Sequence, residues 1–446
     1  MMYYEMMQEK INRKNATVGI IGLGYVGLPL AIEFAEAGYH VIGFDIHAGK
    51  VNQLAHSDSY IIDITNQKLA TVVQNGHFTP TTDFSKLGEV DAVCICVPTP
   101  LTKSQEPDMS YIMAAVAEIK RYMKPGMLIT LESTTYPGTT EELIQTEIEA
   151  LGYRVGEDFF LCFSPERVDP GNKTFQTKNT PKVLGGTTPN CCQLGEALYS
   201  KVIDHVYLVS STKVAEMTKL LENTFRSINI AFINEMAMLC EALDMNIWEV
   251  VDAAATKPFG FMKFTPGPGI GGHCIPLDPM YLSWKAKGAN FFSRFIELAQ
   301  ETNKKMPEQV IHKVSQALNS AYKSMRGSKV LVLGMAYKPD IDDVRESPAL
   351  EVYELLHKNG ADVAYYDPHV SSFRNEEGTP VYSEEEARYG EYDAVVILTN
   401  HSVFNTEEII TNANLIVDTR NMFQGENSEK VFRIGSGLPE RTAMMQ

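Results

Sequence analysis

Thr17-Val18-Gly19-Ile20-Ile21-Gly22-Leu23-Gly24-Tyr25-Val26-Gly27 decides the fold of the first part of the chain. Its first five residues form a β-branched run, its glycines a turn, and Leu28 to Ala37 continues with helical apolar spacing. His40 to Asp45 then reads as a second strand ending in an acid, eighteen residues past Gly27. Strand, glycine turn, helix, strand and acid in that order predict a βαβ unit for a dinucleotide. Gly22, Gly24 and Gly27 let backbone approach a pyrophosphate at a helix N-terminus, and Asp45 can accept hydrogen bonds from a ribose diol. An acid rather than a base at position 45 favours NAD over NADP.

The alternation continues outward. Asp91 to Val97 reads as a buried strand closed by Pro98-Thr99-Pro100, followed by a helix over 111–121. Met127 to Leu131 is a strand ending in Glu132-Ser133-Thr134-Thr135, and Phe159 to Phe163 is another, running into Ser164-Pro165-Glu166-Arg167-Val168-Asp169-Pro170-Gly171. Polar residues at the carboxyl ends of parallel strands line the ligand crevice of such sheets. Thr135 is thus either a contact to cofactor or reacting water, or a helix cap. Glu166 is either a general acid/base or the partner of Arg167.

With 446 residues, 44% hydrophobic and 21% charged, the chain is long enough for two or three ordinary globular domains. A net charge of −17 argues against a nucleic-acid surface, and no apolar run reaches membrane-spanning length. Met1 to Asn15 has no signal-peptide core and reads as a frayed lead-in. Seven cysteines without metal-ligand spacing fit free thiols in a reducing cytoplasm and no metal site, with Cys94, Cys96, Cys191 and Cys192 structural.

Thr212 to Asp244 lacks Gly and Pro and keeps helical apolar spacing, so it predicts one long helix that bridges domains or forms a dimer seam. Lys219 and Asn223 are four apart on it and share a face; by itself, a solvated lysine is the plainer reading. A shorter helix over 246–255 leads to Gly267-Pro268-Gly269-Ile270-Gly271-Gly272-His273-Cys274-Ile275-Pro276-Leu277-Asp278-Pro279. Four glycines and three prolines in thirteen residues sustain neither helix nor central strand, so this is a shaped loop. Cys274, four residues before Asp278, is either a nucleophile beside a base or a small buried hydrophobe.

After helical sequence over 292–325, βαβ periodicity returns, with strands over 329–334, 361–367, 393–399 and 415–418 and a helix over 348–359. This unit lacks a full glycine fingerprint and should hold a nucleotide-like ligand other than a second NAD. Lys338, Arg345 and Arg420 stand near strand ends as phosphate partners or structural ion pairs. The whole is expected to be α/β, with two Rossmann-like doubly wound domains joined by a long central helix.

Four blocks carry a family resemblance: GPGIGGHCIPLDP, the helix segment Lys219 to Arg226, SPERVDPG, and YKPDIDDVRESPAL. From Thr17 to at least Arg420 the chain resembles the nucleotide-sugar 6-dehydrogenases of the UDP-glucose/GDP-mannose dehydrogenase family. The resemblance implies an NAD-binding domain over 1–210, a helical dimerisation and catalytic-loop domain over 211–325, and a UDP-sugar-binding domain over 326–446. It implies a four-electron oxidation of a sugar C6 alcohol to a carboxylate, with the active site between the two outer domains. Cys274 is then the nucleophile, Asp278 the base acting with a water, Lys219 and Asn223 the oxyanion partners, and Thr135 and Glu166 the neighbours of the hydrolytic water. Cofactor contacts are implied at Gly22, Gly24, Tyr25, Val26, Gly27, Asp45, Pro98, Thr99, Thr135 and Arg345. Substrate contacts are implied at Glu166, Arg167, Lys219, Asn223, Gly269, Gly271, Lys338 and Arg420. His273 and Lys219 are candidates to lower the pKa of the Cys274 thiol.

SPERVDPG and GGHCIPLDP resemble the N-acetylhexosamine branch. Phe259-Gly260-Phe261 and Pro276-Leu277-Asp278-Pro279 are closest to the UDP-N-acetylglucosamine enzymes, with UDP-N-acetylmannosamine the main rival. The implied protein is a cytoplasmic homodimer or larger homo-oligomer whose product feeds capsule, O-antigen or other surface glycans. The rivals are a UDP-glucose enzyme, a two-electron dehydrogenase in which Cys274 is structural, and a non-enzymatic NAD sensor.

Overall fold

The computed structural model describes residues 2–437 except 62, 103, 105, 169–171, 173, 273 and 427. The chain divides into two compact units, residues 1–222 with 280–291, and residues 223–279 with 292–446.

The first unit is built on an eight-stranded sheet: β1 (Thr17–Ile21), β2 (His40–Phe44), β3 (Phe78–Thr81), β4 (Ala92–Ile95), β5 (Leu128–Leu131), β6 (Phe160–Phe163), β7 (Lys182–Gly186) and β8 (Val206–Val209). Their order is β3-β2-β1-β4-β5-β6-β7-β8. Every pairing is parallel except β6 with β7. Alternate side chains sort to opposite faces, as a pleated strand requires. Val18, Ile20, Val41, Cys94, Leu128 and Phe160 join one core, whereas Ile21, Ile42, Phe44, Val93, Ile95, Ile129 and Leu161 join the other. Helices cover both faces, which is why these strands read as continuous apolar runs.

The second unit's sheet contains β9 (Lys329–Leu333), β10 (Asp362–Tyr366), β13 (Ala394–Ile397), β14 (Ile416–Asp418) and β15 (Val431–Arg433), all parallel, in the order β10-β9-β13-β14-β15. A small hairpin, β11 (Ser372–Arg374) with β12 (Pro380–Tyr382), follows β10. The same sorting recurs: Val330, Val332, Val396 and Val417 on one face, Leu331, Leu333, Val395 and Ile416 on the other. The expected α/β architecture of two Rossmann-like sheets and a long helix, Thr212–Ala242, is present.

One expectation changes and two elements gain detail. Met2–Asn12 is a helix rather than a frayed lead-in: it buries Met7 and Ile11, and Lys10 pairs with Asp91 at 2.8 Å. The stretch over 292–325 is two helices, Arg294–Lys304 and Met306–Ser320. Pro307 opens the second, since its ring fits a first helical turn but not an interior. On the long helix, Val214, Leu221 and Phe225 are exposed while Ala215, Leu220, Ile233 and Ala237 are buried.

One carboxylate organises the second sheet. Asp367, just past β10, accepts from Met335 N at 2.6 Å, Ala336 N at 3.1 Å, His369 N at 2.8 Å and Val370 N at 3.1 Å. His401 Nε2 lies 3.1 Å from Asp367 Oδ2, and His401 Nδ1 accepts from Asp340 N, so the ring is a neutral brace whose Nε2–H donates. Both ring nitrogens are thus engaged, which argues against a metal at the Asp340, His369 and His401 group.

Burial pushes the Asp367 carboxyl up, but the donors led by His401 outweigh it and hold the group at about 2. Its stabilisation is therefore present above the ordinary value of 3.8 and is lost as pH falls through about 2. Asp367→Asn keeps one acceptor oxygen where five donors converge and should cost at least about 1–3 kcal/mol at neutral pH. The gap between the urea midpoints of wild type and variant should narrow between pH 5 and about 2; a gap independent of pH would contradict this account.

Candidate functional site

In the first unit the glycine turn is shaped by close backbone packing. Gly22 has φ +93°, and a Cβ there would lie 2.5 Å from the Cys96 carbonyl oxygen. A Cβ on Gly27 would lie 1.9 Å from Gly22 O, so only glycine lets the helix Gly27–Glu36 start this close to β1. Gly24 faces open space, with nothing within 4 Å of a Cβ, beside exposed Tyr25 and half-buried Val26. Asp45 stands past β2 and accepts from Leu23 N at 3.1 Å and His47 N at 2.9 Å. Two of about four lone-pair directions are used, which leaves acceptors for a ribose diol. The open cradle over Gly24 and this acid fit a dinucleotide.

The loop after β4 carries exposed Pro98 and half-buried Thr99. Tyr281 Oη donates to Thr99 O at 2.7 Å and lies 3.1 Å from Pro100 O. After β5, Thr135 is 1% exposed and its hydroxyl has no hydrogen-bond partner among the described residues. No helix is capped by it.

Glu166 follows β6. Its Oε1 accepts from Arg167 N and Val168 N, each at 2.8 Å. The Arg167 guanidinium is not its partner: it pairs with Glu222 at 2.7 Å and donates to Pro181 O. Lys219 is buried rather than solvated, and its Nζ donates to the Glu166 carbonyl at 2.7 Å. Sequence reasoning passed over Lys182, whose Nζ lies 2.6 Å from Glu132 Oε2 and 3.9 Å from Glu166 Oε2. The available signal was a lysine heading an otherwise uncharged strand.

In the second unit the glycine loop is pressed onto segments that follow β9 and β14. Gly267 N donates to Asn234 Oδ1 at 3.0 Å, and a Cβ on Gly267 would lie 2.8 Å from Arg420 Nη1. Gly269 has φ +136°, and a Cβ on Gly271 would meet Tyr337 Cβ at 2.6 Å and Glu346 O at 2.9 Å. Gly272 N donates to Arg345 O at 3.1 Å. Cys274 then begins a turn whose carbonyl accepts from Asp278 N at 2.8 Å, and Asp278 Oδ2 accepts from Asn223 Nδ2 at 2.5 Å.

Arg345 forks onto Asp343, with Nε 2.9 Å from Oδ1 and Nη2 2.6 Å from Oδ2. Arg420 Nε donates to Leu398 O at 2.7 Å, and burial pushes its pKa down to about 10. Lys338 is half-buried after Tyr337. This unit therefore joins Asn223, Asp278 and Cys274 by hydrogen bonds and sets Arg420 against Gly267 of the same loop, whereas Thr135, Glu166, Arg167 and Lys219 belong to the first unit.

All seven cysteines are free. Burial pushes the Cys94 thiol up to about 12 and holds those of Cys96 and Cys162 well above the ordinary thiol value, which makes them inert, while Cys274 is half-buried. His273 and residues 169–171 of the SPERVDPG block lie outside the described residues. Among the described residues no helix is long and apolar enough to cross a membrane.

Three domain profiles match in chain order: the NAD binding domain of the UDP-glucose/GDP-mannose dehydrogenase family over 16–203, its central domain over 213–305, and its UDP binding domain over 331–425. UDP-N-acetyl-D-mannosamine dehydrogenase of Methanococcus maripaludis is 34% identical, covering 91% of this chain and 92% of that protein. UDP-N-acetyl-D-glucosamine 6-dehydrogenase of Pseudomonas aeruginosa is also 34% identical, covering 88% and 92%. The solved structure of UDP-D-ManNAc dehydrogenase from Pyrococcus horikoshii superposes with a TM-score of 0.86 at 33% identity, over 94% of this chain and 99% of that one. With a dinucleotide turn, an acid past β2 and three successive domain matches, the chain belongs to the UDP-glucose/GDP-mannose dehydrogenase family and carries its NAD binding domain.

Proposed function

We propose that this protein oxidises the C6 alcohol of a UDP-N-acetylhexosamine to the carboxylate, consuming two NAD⁺ and one water per sugar and releasing two NADH and three protons. The observation that carries this reading is the second unit's junction of Cys274, Asp278 and Asn223 beneath the glycine loop. A half-buried thiol there suits a nucleophile.

Gly22, Gly24, Gly27 and Asp45 hold the dinucleotide, with Thr99, Pro98 and Arg345 as further contacts. A bound NAD would supply the hydride acceptor for C6 in each of two successive oxidations. Asp278, acting with a water, removes the alcohol proton for the first. An aldehyde cannot give up a second hydride until a nucleophile makes its carbon tetrahedral, and Cys274 Sγ supplies that bond as a thiohemiacetal. Lys219 and Asn223 stabilise the oxyanion, charge that develops in the transition state. The resulting thioester is cleaved by water: Glu166, with Thr135 beside it, takes the water's proton, the C–O bond forms, and the C–S bond breaks to return the thiolate. Arg420 and Lys338 pair with the diphosphate, and Gly269 and Gly271 let backbone approach the sugar.

UDP-N-acetylglucosamine is the sugar favoured by the loop motif. UDP-N-acetylmannosamine is the second reading, favoured by the names of relatives such as those from Methanococcus maripaludis and Pyrococcus horikoshii. NADH released per limiting UDP-sugar, measured with both epimers and UDP-glucose, should be two for one N-acetylhexosamine. In Cys274→Ala turnover should fall by at least about 10³-fold. One NADH per sugar, or an active variant, would reduce the protein to a two-electron dehydrogenase.

A homodimer built on the long helix is part of this proposal. Phe225, Phe232 and Leu239 are exposed at spacings of seven, the repeat of a helix seam, with exposed Leu243 just past the helix end. Phe232→Glu should shift the mass measured by light scattering from dimer toward monomer, and an unchanged mass would place the interface elsewhere.

A further inference from the structure

A buried charge system stands behind Glu166, entirely within the first unit. β7 runs antiparallel to β6, with Phe163 opposite Gly185, so its first residue returns to the edge of the sheet where β6 ends. Lys182, 5% exposed, is thereby delivered beside the ligand-facing carboxyl ends of β5 and β6. Its Nζ lies 2.6 Å from Glu132 Oε2 and 3.9 Å from Glu166 Oε2, and 5.3 Å from the centre of the Tyr199 ring. Tyr199 donates to the other oxygen of Glu132, and Cys94 Sγ lies 3.3 Å from the Tyr199 hydroxyl.

Among the described residues no second cation reaches the Glu166 carboxylate. Cys94 and Cys96 are kept neutral by burial. Lys219 is held on the Glu166 carbonyl rather than its carboxylate, and Arg167 is turned to Glu222. Among the described residues one cation therefore serves two carboxylates. The two attractions outweigh burial and raise the Lys182 pKa, so it stays charged. A buried ion pair is a poor source of net stability, since well-packed apolar residues usually do as well. Its place beside Glu166 calls for another role.

We propose that Lys182 is a positioning residue that keeps the Glu166 carboxylate ionised and oriented for water activation, with Glu132 and Tyr199 setting how much of its charge Glu166 feels. This rests on the reading of Glu166 as base for thioester cleavage. Glu166 is anchored at Oε1 by two amides, and Lys182 faces Oε2, so the acid is fixed in one rotamer with one oxygen available. An opposite charge within about 4–6 Å favours the ionised carboxylate by about one to three pH units.

The test follows single-turnover reactions with UDP-N-acetylglucosamine or UDP-N-acetylmannosamine, acid-quenched, reading the acyl mass on Cys274 and its decay against pH. In Glu132→Gln the full charge of Lys182 falls on Glu166, and the acid limb of the decay profile should move down. In the neutral pair Lys182→Met with Glu132→Gln it should move up by about one unit or more. Lys182→Arg should leave it in place. If the paired variant does not fold, the direction seen in Glu132→Gln still decides. Limbs that coincide in folded variants, or that move the same way in Glu132→Gln and the paired variant, would overturn the role of Lys182. Absence of any acyl mass in wild type would instead overturn the Cys274 reading, and this proposal with it.

Discussion

Each sheet depends on a carboxylate past its second strand that ties down the loop after its first. In the first unit Asp45 accepts from Leu23 N and His47 N; in the second Asp367 accepts from Met335 N, Ala336 N, His369 N and Val370 N. The local device is shared, an acid that bonds the amide two residues on and reaches across to the neighbouring loop. The difference lies in what remains. Asp45 keeps acceptor capacity for a sugar diol, whereas Asp367, with His401 added, is saturated. One sheet can therefore offer its acid to a dinucleotide ribose, while in the other the acid has no acceptor left to offer.

The glycine loop extends the same reasoning from hydrogen bonds to shape. At Gly267, Gly271 and Gly272 a Cβ would run into Arg420, Tyr337 or backbone of residue 346. The composition of the loop is thus a record of how closely chain passes chain in the second unit.

Much of this was legible. The Gly22 to Gly27 turn and the acid at 45 announced the first βαβ unit, since both are backbone requirements that few residues meet. The long helix was legible from the absence of Gly and Pro, and the second sheet from its apolar runs. The N-terminal helix was not: Met7 and Ile11 bury into a core made by distant residues, and a short Met-rich segment carries no sign of that docking. Nor were β3, with Pro80 inside it, or the three-residue β15, which exist because neighbours pair with them. In the glycine loop, residue types and spacing singled out Cys274 and Asp278, while Asn223 entered as a site residue only through the family resemblance. Lys182 stayed hidden because its meaning comes from strand direction, and a reversed strand leaves no mark in a hydrophobic pattern.

The N-terminal helix bears on handling as well as on stability. Lys10 and Lys124 share the Asp91 carboxylate, at 2.8 and 3.0 Å, and Tyr3 packs over Gly126; both lie just before strands, at the edge of the first sheet opposite its ligand crevice. A purification handle, fluorophore or surface tether joined ahead of Met2 would thus project from the floor of this unit, leaving the mouth over Gly24 clear for diffusing nucleotides.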